Sequence, residues 1–151
     1  MLFRSVHALL VHPGELRRLQ DDASLIEPAV EEFLRYESSN QLGNRRAVAD
    51  VEIGGVAMPA GTLITLGIGA ANRDPAQFPD PDRLDITRAP NRHLAFATGI
   101  HACAGMWLAR MEGQVAIGRL VRRFPAIRPA GPVVRGGRAR FRGLAHFPVS
   151  V

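Results

Sequence analysis

The stretch FATGIHACAG, residues 96–105, contains the only cysteine of the chain, Cys103. A glycine at position 99 precedes it and apolar residues at helical spacing follow it, so we predict a loop and then a helix from about Ala104 to Phe124. Backbone N–H groups at a helix start stabilise a thiolate, the form of cysteine that binds metals. A lone cysteine is also commonly a small buried apolar residue. Position alone therefore leaves two interpretations open, a metal ligand and a core residue.

Apolar spacing predicts three helices upstream of this stretch. The first is Leu2–Val11, which ends before His12-Pro13 because the residue before proline is disfavoured in a helix. The second is Gly14–Gln20, and the third is Leu25–Tyr36, introduced by Ser24 and Glu27 as a capping box. In the helix after Cys103, Leu108, Met111, Val115 and Gly118 fall on one face.

Strand signals lie between the helices. Val51–Ile53 and Val56–Met58 flank Gly54-Gly55, which is a hairpin signal, and Leu63–Leu66 is a further candidate strand. Residues 72–95 are rich in Pro, Asp, Arg and Asn, which indicates a long loop of functional importance. Short strands and loops are expected after Pro125. The sequence thus predicts one domain over residues 1–151, mainly α with small β-sheets, an α+β protein.

Charge and composition narrow the classes of function. All 19 basic residues are arginine, the net charge is +5, and no Asp or Glu occurs after Gly113, so the C-terminal part should carry a positive field. Nucleic acid is disfavoured as a partner because no aromatic residues alternate with these arginines. One cysteine excludes an internal disulfide, and the apolar start of the chain is too short to span a bilayer. We therefore expect a cytoplasmic protein without a membrane partner.

The motifs around Cys103 point to one family. Residues 96–105 resemble the haem-binding signature F-G-x-G-x-x-x-C-x-G of the cytochromes P-450, whose fixed positions here are Phe96, Gly99, Cys103 and Gly105. The EEFLR segment, residues 31–35, resembles the E-x-x-R helix motif of that family. ANRDP at residues 71–75, FPDPDRLDITR at 78–88 and LAR at 108–110 resemble its connecting region and the helix after the cysteine. The chain is similar to the C-terminal, haem-ligating part of the family, most like its soluble bacterial members.

The resemblance implies a cofactor and a role for each matching residue. The cofactor would be haem b, with Cys103 as its axial thiolate ligand and Phe96 shielding the sulfur. Arg45 and His101 match positions that bind the haem propionates. A salt-bridged core of Glu32, Arg35 and Arg83 would fix the cysteine loop. The fold would be an incomplete part of the P-450 fold.

The implied reaction inserts one oxygen atom of O₂ into a small organic substrate, with two electrons from a ferredoxin-type partner. An acidic ferredoxin would suit the Arg-rich C-terminal part. The oxygen-activating helix of the family has no counterpart between Met1 and Val151, so no catalytic residue is assigned. Three interpretations stay open: a monooxygenase, a non-catalytic haem-binding module or truncated remnant, and one half of a split enzyme completed by a missing N-terminal chain.

Overall fold

The computed structural model describes residues 2–151 of the chain. Within this range the α-helices are α1, Leu2–Val11; α2, Pro13–Asp21; α3, Ile26–Tyr36; α4, Ile68–Ala71; and α5, Met106–Arg123. Short 3₁₀ helices at Ala23–Leu25 and Gly99–His101 precede α3 and α5. None of the helices formed by residues 2–151 is both long and apolar enough to cross a lipid bilayer.

The strands form small antiparallel pairs. In chain order they are β1, Leu42–Arg46; β2, Val51–Ile53; β3, Val56–Met58; β4, Leu63–Gly67; β5, Arg128–Pro129; β6, Val134–Arg135; β7, Leu144–His146; and β8, Val149–Ser150. β1 pairs with β4, β2 with β3, β5 with β8 and β6 with β7. The combination of helices and two-stranded sheets confirms the predicted class, mainly α with small β-sheets.

One hydrophobic core unites the helices. The buried residues are contributed by α1, α2, α3 and α5, together with two residues of the long loop; they are Ala8, Leu9, Leu16, Leu19, Ala29, Val30, Phe33, Leu34, Leu84, Ile86, Ile117 and Val121. Residues 72–98 contain neither helix nor strand, as expected, and Leu84 and Ile86 anchor this loop against α3. Burial of these apolar side chains is the main source of stability. That residues 1–151 form a single partial domain stays a prediction.

Local signals located most elements to within two residues. α1 and the β2–β3 hairpin occupy the predicted residues, and both Gly54 (φ 60°) and Gly55 (φ 78°) adopt the positive φ that a tight hairpin turn requires. The capping box is not formed: Ser24 N donates to Asp22 Oδ1 at 2.9 Å, and a 3₁₀ turn precedes α3. β1 was not predicted because its sequence, LGNRR, has no β-branched residue.

The face of α5 that carries Leu108, Met111, Val115 and Gly118 is exposed at three of these four positions. Leu108, Met111 and Val115 are 54%, 55% and 50% exposed. The buried residues are Gly113, Ile117, Gly118 and Val121, which face α1, α2 and α3. α5 carries apolar residues on two faces, and the hydrophobic periodicity alone does not decide which of them packs on the core.

Candidate functional site

A cleft of about 690 Å³ lies between the cysteine segment and the β1–β4 pair. Its walls combine apolar and polar side chains, which include Leu66, Ile68, Leu94, Phe96 and Ala109 on the apolar side and Arg45, His101, Cys103 and Arg140 on the polar side. Cys103 is exposed and its thiol is free. The structure therefore brings a free thiol, an apolar wall and cationic side chains into one cleft.

Main-chain hydrogen bonds define the loop that presents the thiol. Cys103 N donates to Phe96 O at 2.9 Å, and Met106 N donates to Cys103 O at 3.2 Å. The helix therefore begins three residues after the cysteine, rather than directly after it as the sequence suggested. A Cβ at position 105 would lie 4.0 Å from the Cys103 sulfur, which is an ordinary van der Waals contact.

Ala97 occupies a strained backbone position in this loop. Its φ is 56°, in the left-handed region, next to the Gly99 turn at φ 69°. The haem-binding signature has glycine where this chain has Ala97. A side chain at such a φ costs roughly 1–2 kcal/mol, because its Cβ crowds the following carbonyl.

Ala97→Gly is expected to stabilise the chain. Relief of the left-handed strain outweighs the added freedom of glycine in the unfolded state, which costs about 0.4–1 kcal/mol, so the net gain in the free energy of unfolding should be about 0.5–1 kcal/mol. Urea unfolding measures it, with Ala102→Gly as the control because Ala102 has a φ of −55°. Equal or lower stability of Ala97→Gly would contradict the strain.

Phe96 is held from two sides by a charged cluster. The Arg110 guanidinium lies 4.9 Å from the centre of the Phe96 ring, and the His93 ring packs edge-on to it at 6.1 Å between ring centres. Both side chains bind Glu31: Arg110 Nε and Nη2 donate to its carboxylate at 2.7 and 2.9 Å, and His93 Nε2 lies 3.1 Å from Oε2. Glu31 therefore links α3, the loop and α5 around Phe96. The sequence did not assign this role to Glu31 or Arg110, because their partners are distant along the chain.

This cluster should make stability depend on pH. Burial raises the pKa of Glu31, but hydrogen bonds from His93 and Arg110 outweigh it and lower the pKa to about 2, from 4.5 in the unfolded chain. The contribution of a carboxyl with a depressed folded-state pKa is complete above pH 4.5 and is lost as pH falls toward 2.

Glu31→Gln is expected to flatten the fall of the unfolding free energy between about pH 5 and pH 2. The flattening should amount to about 1–2 kcal/mol over that range, because solvent screens a half-buried carboxylate. Urea unfolding at a series of pH values measures it, and Glu27→Gln, at an exposed position one turn earlier, is the control. Parallel pH profiles for Glu31→Gln and the parent chain would contradict the assigned pKa.

The E-x-x-R pair forms a buried ion pair. Arg35 Nε and Nη2 donate to the two carboxylate oxygens of Glu32, both at 2.8 Å, and both side chains are 0% exposed. The same carboxylate accepts from Asn91 Nδ2 at 3.1 Å and from Asp85 N at 3.0 Å. Such a pair is tolerable inside a protein only because its remaining hydrogen-bonding capacity is satisfied.

The second cation that pairs with Glu32 is Arg88 and not Arg83. Arg88 Nε lies 3.2 Å from Glu32 Oε2, and its side chain is 10% exposed. Arg83 is an exposed residue that contributes only its main-chain carbonyl, which accepts from Arg35 Nη2 at 3.1 Å. The expected side-chain role of Arg83 is thus corrected: the loop doubles back so that Arg88 reaches α3. Arg35 Nη1 also donates to Asn72 O at 2.9 Å, which ties the loop to α3.

Arg45 and His101 lie in the cleft with Cys103. Arg45 is half-buried on β1, opposite Ile64 of β4, and its Nη1 donates to Asn44 O at 2.9 Å. His101 ends the 3₁₀ helix before the cysteine and is exposed. Arg140, from the C-terminal segment, adds a cation that the sequence did not assign to the site. Its distance from the motif along the chain left no local signal.

The donor set of the cleft fits a haem. Among residues 2–151, no group of three or more His, Cys, Asp or Glu side chains converges to hold a metal ion. The cleft instead offers one candidate ligand, the thiol of Cys103. A haem provides most of the ligands to its iron, so it would need one ligand from the protein, an apolar wall and cations for its two carboxylates. Cys103, the apolar wall with Phe96, and Arg45 with Arg140 meet these three requirements.

Together, the fold and the cleft define a haem-thiolate class of protein. The family model for cytochrome P450, here written P-450, matches residues 19–131. The chain belongs to the cytochrome P-450 family, whose members bind haem b.

Curated relatives match nearly the whole chain. The 6-deoxyerythronolide B hydroxylase of Saccharopolyspora erythraea is 46% identical over 95% of this chain and 36% of that protein. The biotin biosynthesis cytochrome P-450 of Bacillus subtilis is 48% identical over 99% of this chain and 38% of that protein. The chain therefore spans little more than a third of the length of these relatives.

Solved structures show the same backbone. Cytochrome P-450 BioI, in complex with an acyl carrier protein ligated to hexadec-9Z-enoic acid, superposes with a TM-score of 0.96 at 45% identity, over 99% of this chain and 39% of that one. The P-450 of the bacillaene polyketide synthase of Bacillus subtilis superposes with a TM-score of 0.93 at 41% identity, over 97% and 39% of the two chains.

Proposed function

We propose that the chain is the haem-ligating part of a cytochrome P-450 monooxygenase. The reaction inserts one oxygen atom of O₂ into a small organic substrate and consumes two electrons from a ferredoxin-type partner. The observation that carries the proposal is the free thiol of Cys103 in an apolar cleft flanked by Arg45 and Arg140, in a chain of this family.

Each residue of the cleft has a distinct task in this proposal. Cys103 would bind the iron through its sulfur, Gly99 provides the positive-φ turn of the loop, and Gly105 lies beside the sulfur. Arg45 and His101 bind the propionates with charge-assisted hydrogen bonds. Phe96, clamped by the Glu31 cluster, keeps water from the sulfur. The haem, when bound, supplies the oxygen chemistry. The chain positions the haem and keeps water from the ligating sulfur.

The arginines of the C-terminal part favour an acidic protein as the electron donor. α5 presents the exposed residues Arg119, Arg122 and Arg123, and no carboxylate follows Gly113 in the sequence. Complementary charge increases the rate at which two proteins meet. We therefore place the docking site for the ferredoxin-type partner on the arginine-bearing surface.

A second candidate function is a haem-binding module without oxygen chemistry. Cys103 itself is exposed, and the chain spans little more than a third of its relatives. Oxygen chemistry requires a site from which water is excluded. In this second proposal, residues 1–151 retain haem, while a monooxygenase reaction needs a further N-terminal chain to cover the cleft.

The first experiment tests haem ligation. The 151-residue chain is titrated with haem, reduced and exposed to carbon monoxide. A strongly red-shifted Soret band, typical of thiolate ligation, is expected. A chain that does not bind haem, or whose carbon monoxide complex lacks this band, would refute both candidate functions.

The second experiment separates the two functions. The haem-loaded chain is supplied with NADPH, ferredoxin reductase, ferredoxin and a panel of small organic substrates. Oxygenated product from this chain supports the monooxygenase. Red-shifted pigment without product supports the haem-binding module, and recovery of product on adding the distal part of a P-450 relative would then assign the chain to one half of a split enzyme.

A further inference from the structure

A second cleft, of about 700 Å³, lies where the end of α3 meets α1 and residues 135–143. It shares no lining residue with the cleft that contains Cys103. Its most frequent side chain is arginine, and among its lining residues the single carboxylate is that of Glu37. One of the six arginines, Arg35, is fully buried in its pair with Glu32. The other five are Arg4, Arg73, Arg135, Arg138 and Arg142. We call these five residues the arginine cluster.

The charges of the arginine cluster are not balanced. Arg4 pairs with Glu37, and Arg73 pairs with Asp82. The other three arginines are Arg135, Arg138 and Arg142. Within residues 2–151, their guanidinium groups form neither an ion pair nor a hydrogen bond with another residue. Three cations thus face one cleft without a counter-ion from these residues.

The field of these cations reaches a buried side chain. Arg4 is 6% exposed, and its Nε has no hydrogen-bond partner. Burial, followed by repulsion from Arg135, Arg142 and Arg73, lowers the pKa of Arg4 to about 10. A bound anion would offset this repulsion, because opposite charge stabilises the protonated guanidinium.

We propose that the arginine cluster binds a small phosphorylated anion. Guanidinium groups are planar donors whose geometry matches phosphate oxygens in pairs, and several of them together suit an anion that carries more than one charge. The volume of the cleft lies in the range of small-molecule sites. An oligonucleotide is less suitable, since Arg73 covers the ring of Tyr36 at 3.9 Å and leaves it unavailable for base stacking.

Calorimetric titration with pyrophosphate at constant ionic strength tests the proposal. Each of Arg138→Gln and Arg142→Gln should weaken binding about tenfold, because each removes a charge-assisted hydrogen bond. Arg119→Gln is the matched control: it removes the same charge from an exposed position on α5, outside the cleft, and should leave the affinity unchanged. Circular dichroism of each variant shows that its fold is retained.

Two outcomes would overturn the proposal. One is equal weakening by all three variants, since this shows attraction to net charge alone. The other is tighter binding of a single-stranded oligonucleotide than of pyrophosphate at equal phosphate concentration. The titration uses the chain with any haem that it carries, and because the two clefts share no lining residue, its result does not depend on the haem function proposed above.

Discussion

Replacing Arg35 with methionine is expected to lower the free energy of unfolding by about 3–5 kcal/mol. The change leaves the Glu32 carboxylate, which is 0% exposed, without its two shortest hydrogen bonds. It also removes the donors to the carbonyls of Asn72 and Pro81, at 2.9 and 2.8 Å, that hold the long loop on α3. A domain of ordinary stability has about 5–15 kcal/mol, so a large fraction would be lost.

The chain contains its own control for this change. Arg18 and Glu15 form an ion pair at the same spacing on α2, at 2.9 Å, but the Arg18 side chain is 42% exposed. Arg18→Met should therefore cost less than about 1 kcal/mol. Urea unfolding of the two variants measures the difference. If the two costs are equal, burial of the Glu32–Arg35 pair does not determine its contribution.

The helices and the hairpin could be predicted because their signals are local. Pro13 ends the first helix, Gly54-Gly55 fixes the hairpin turn, and the apolar spacing of residues 26–36 marks α3. The buried face of α5 could not be predicted in this way, because Ile117 and Val121 compete with Leu108, Met111 and Val115 for the core. That choice depends on how α5 meets α1 and α3, which is a tertiary property.

The residues of the site also fall into two groups, those that belong to a local motif and those whose partners are distant along the chain. Cys103, Phe96 and the glycines belong to one short motif, so the sequence located the loop. The partners of Glu31 are 62 and 79 residues away, and no local pattern connects them. Arg88, and not the expected Arg83, pairs with Glu32 for a similar reason. The path of an irregular loop decides which of two nearby arginines reaches Glu32, and that path has no local sequence signal.

Cys103→Ala is expected to abolish the red-shifted Soret band of the reduced, carbon monoxide-bound chain. Residues 2–151 contain no other cysteine, and no second group of metal-binding side chains is assembled there. Loss of the sulfur therefore leaves the iron without a thiolate, whichever other ligand approaches it. The fold should survive, because Cys103 is exposed and contributes little buried apolar area. Absorption spectra and urea unfolding of the same sample check both statements.

His101→Gln separates ligation of the iron from binding of the propionates. His101 lines the same cleft two residues from Cys103, so its loss should weaken haem binding several-fold while the position of the Soret band stays that of the parent chain. Cys103→Ala should show the opposite pattern, with the band lost even at saturating haem. An unaltered spectrum for Cys103→Ala would exclude Cys103 as the ligand. A band shift in His101→Gln as large as that of Cys103→Ala would show that the band reports on the whole loop instead of the sulfur.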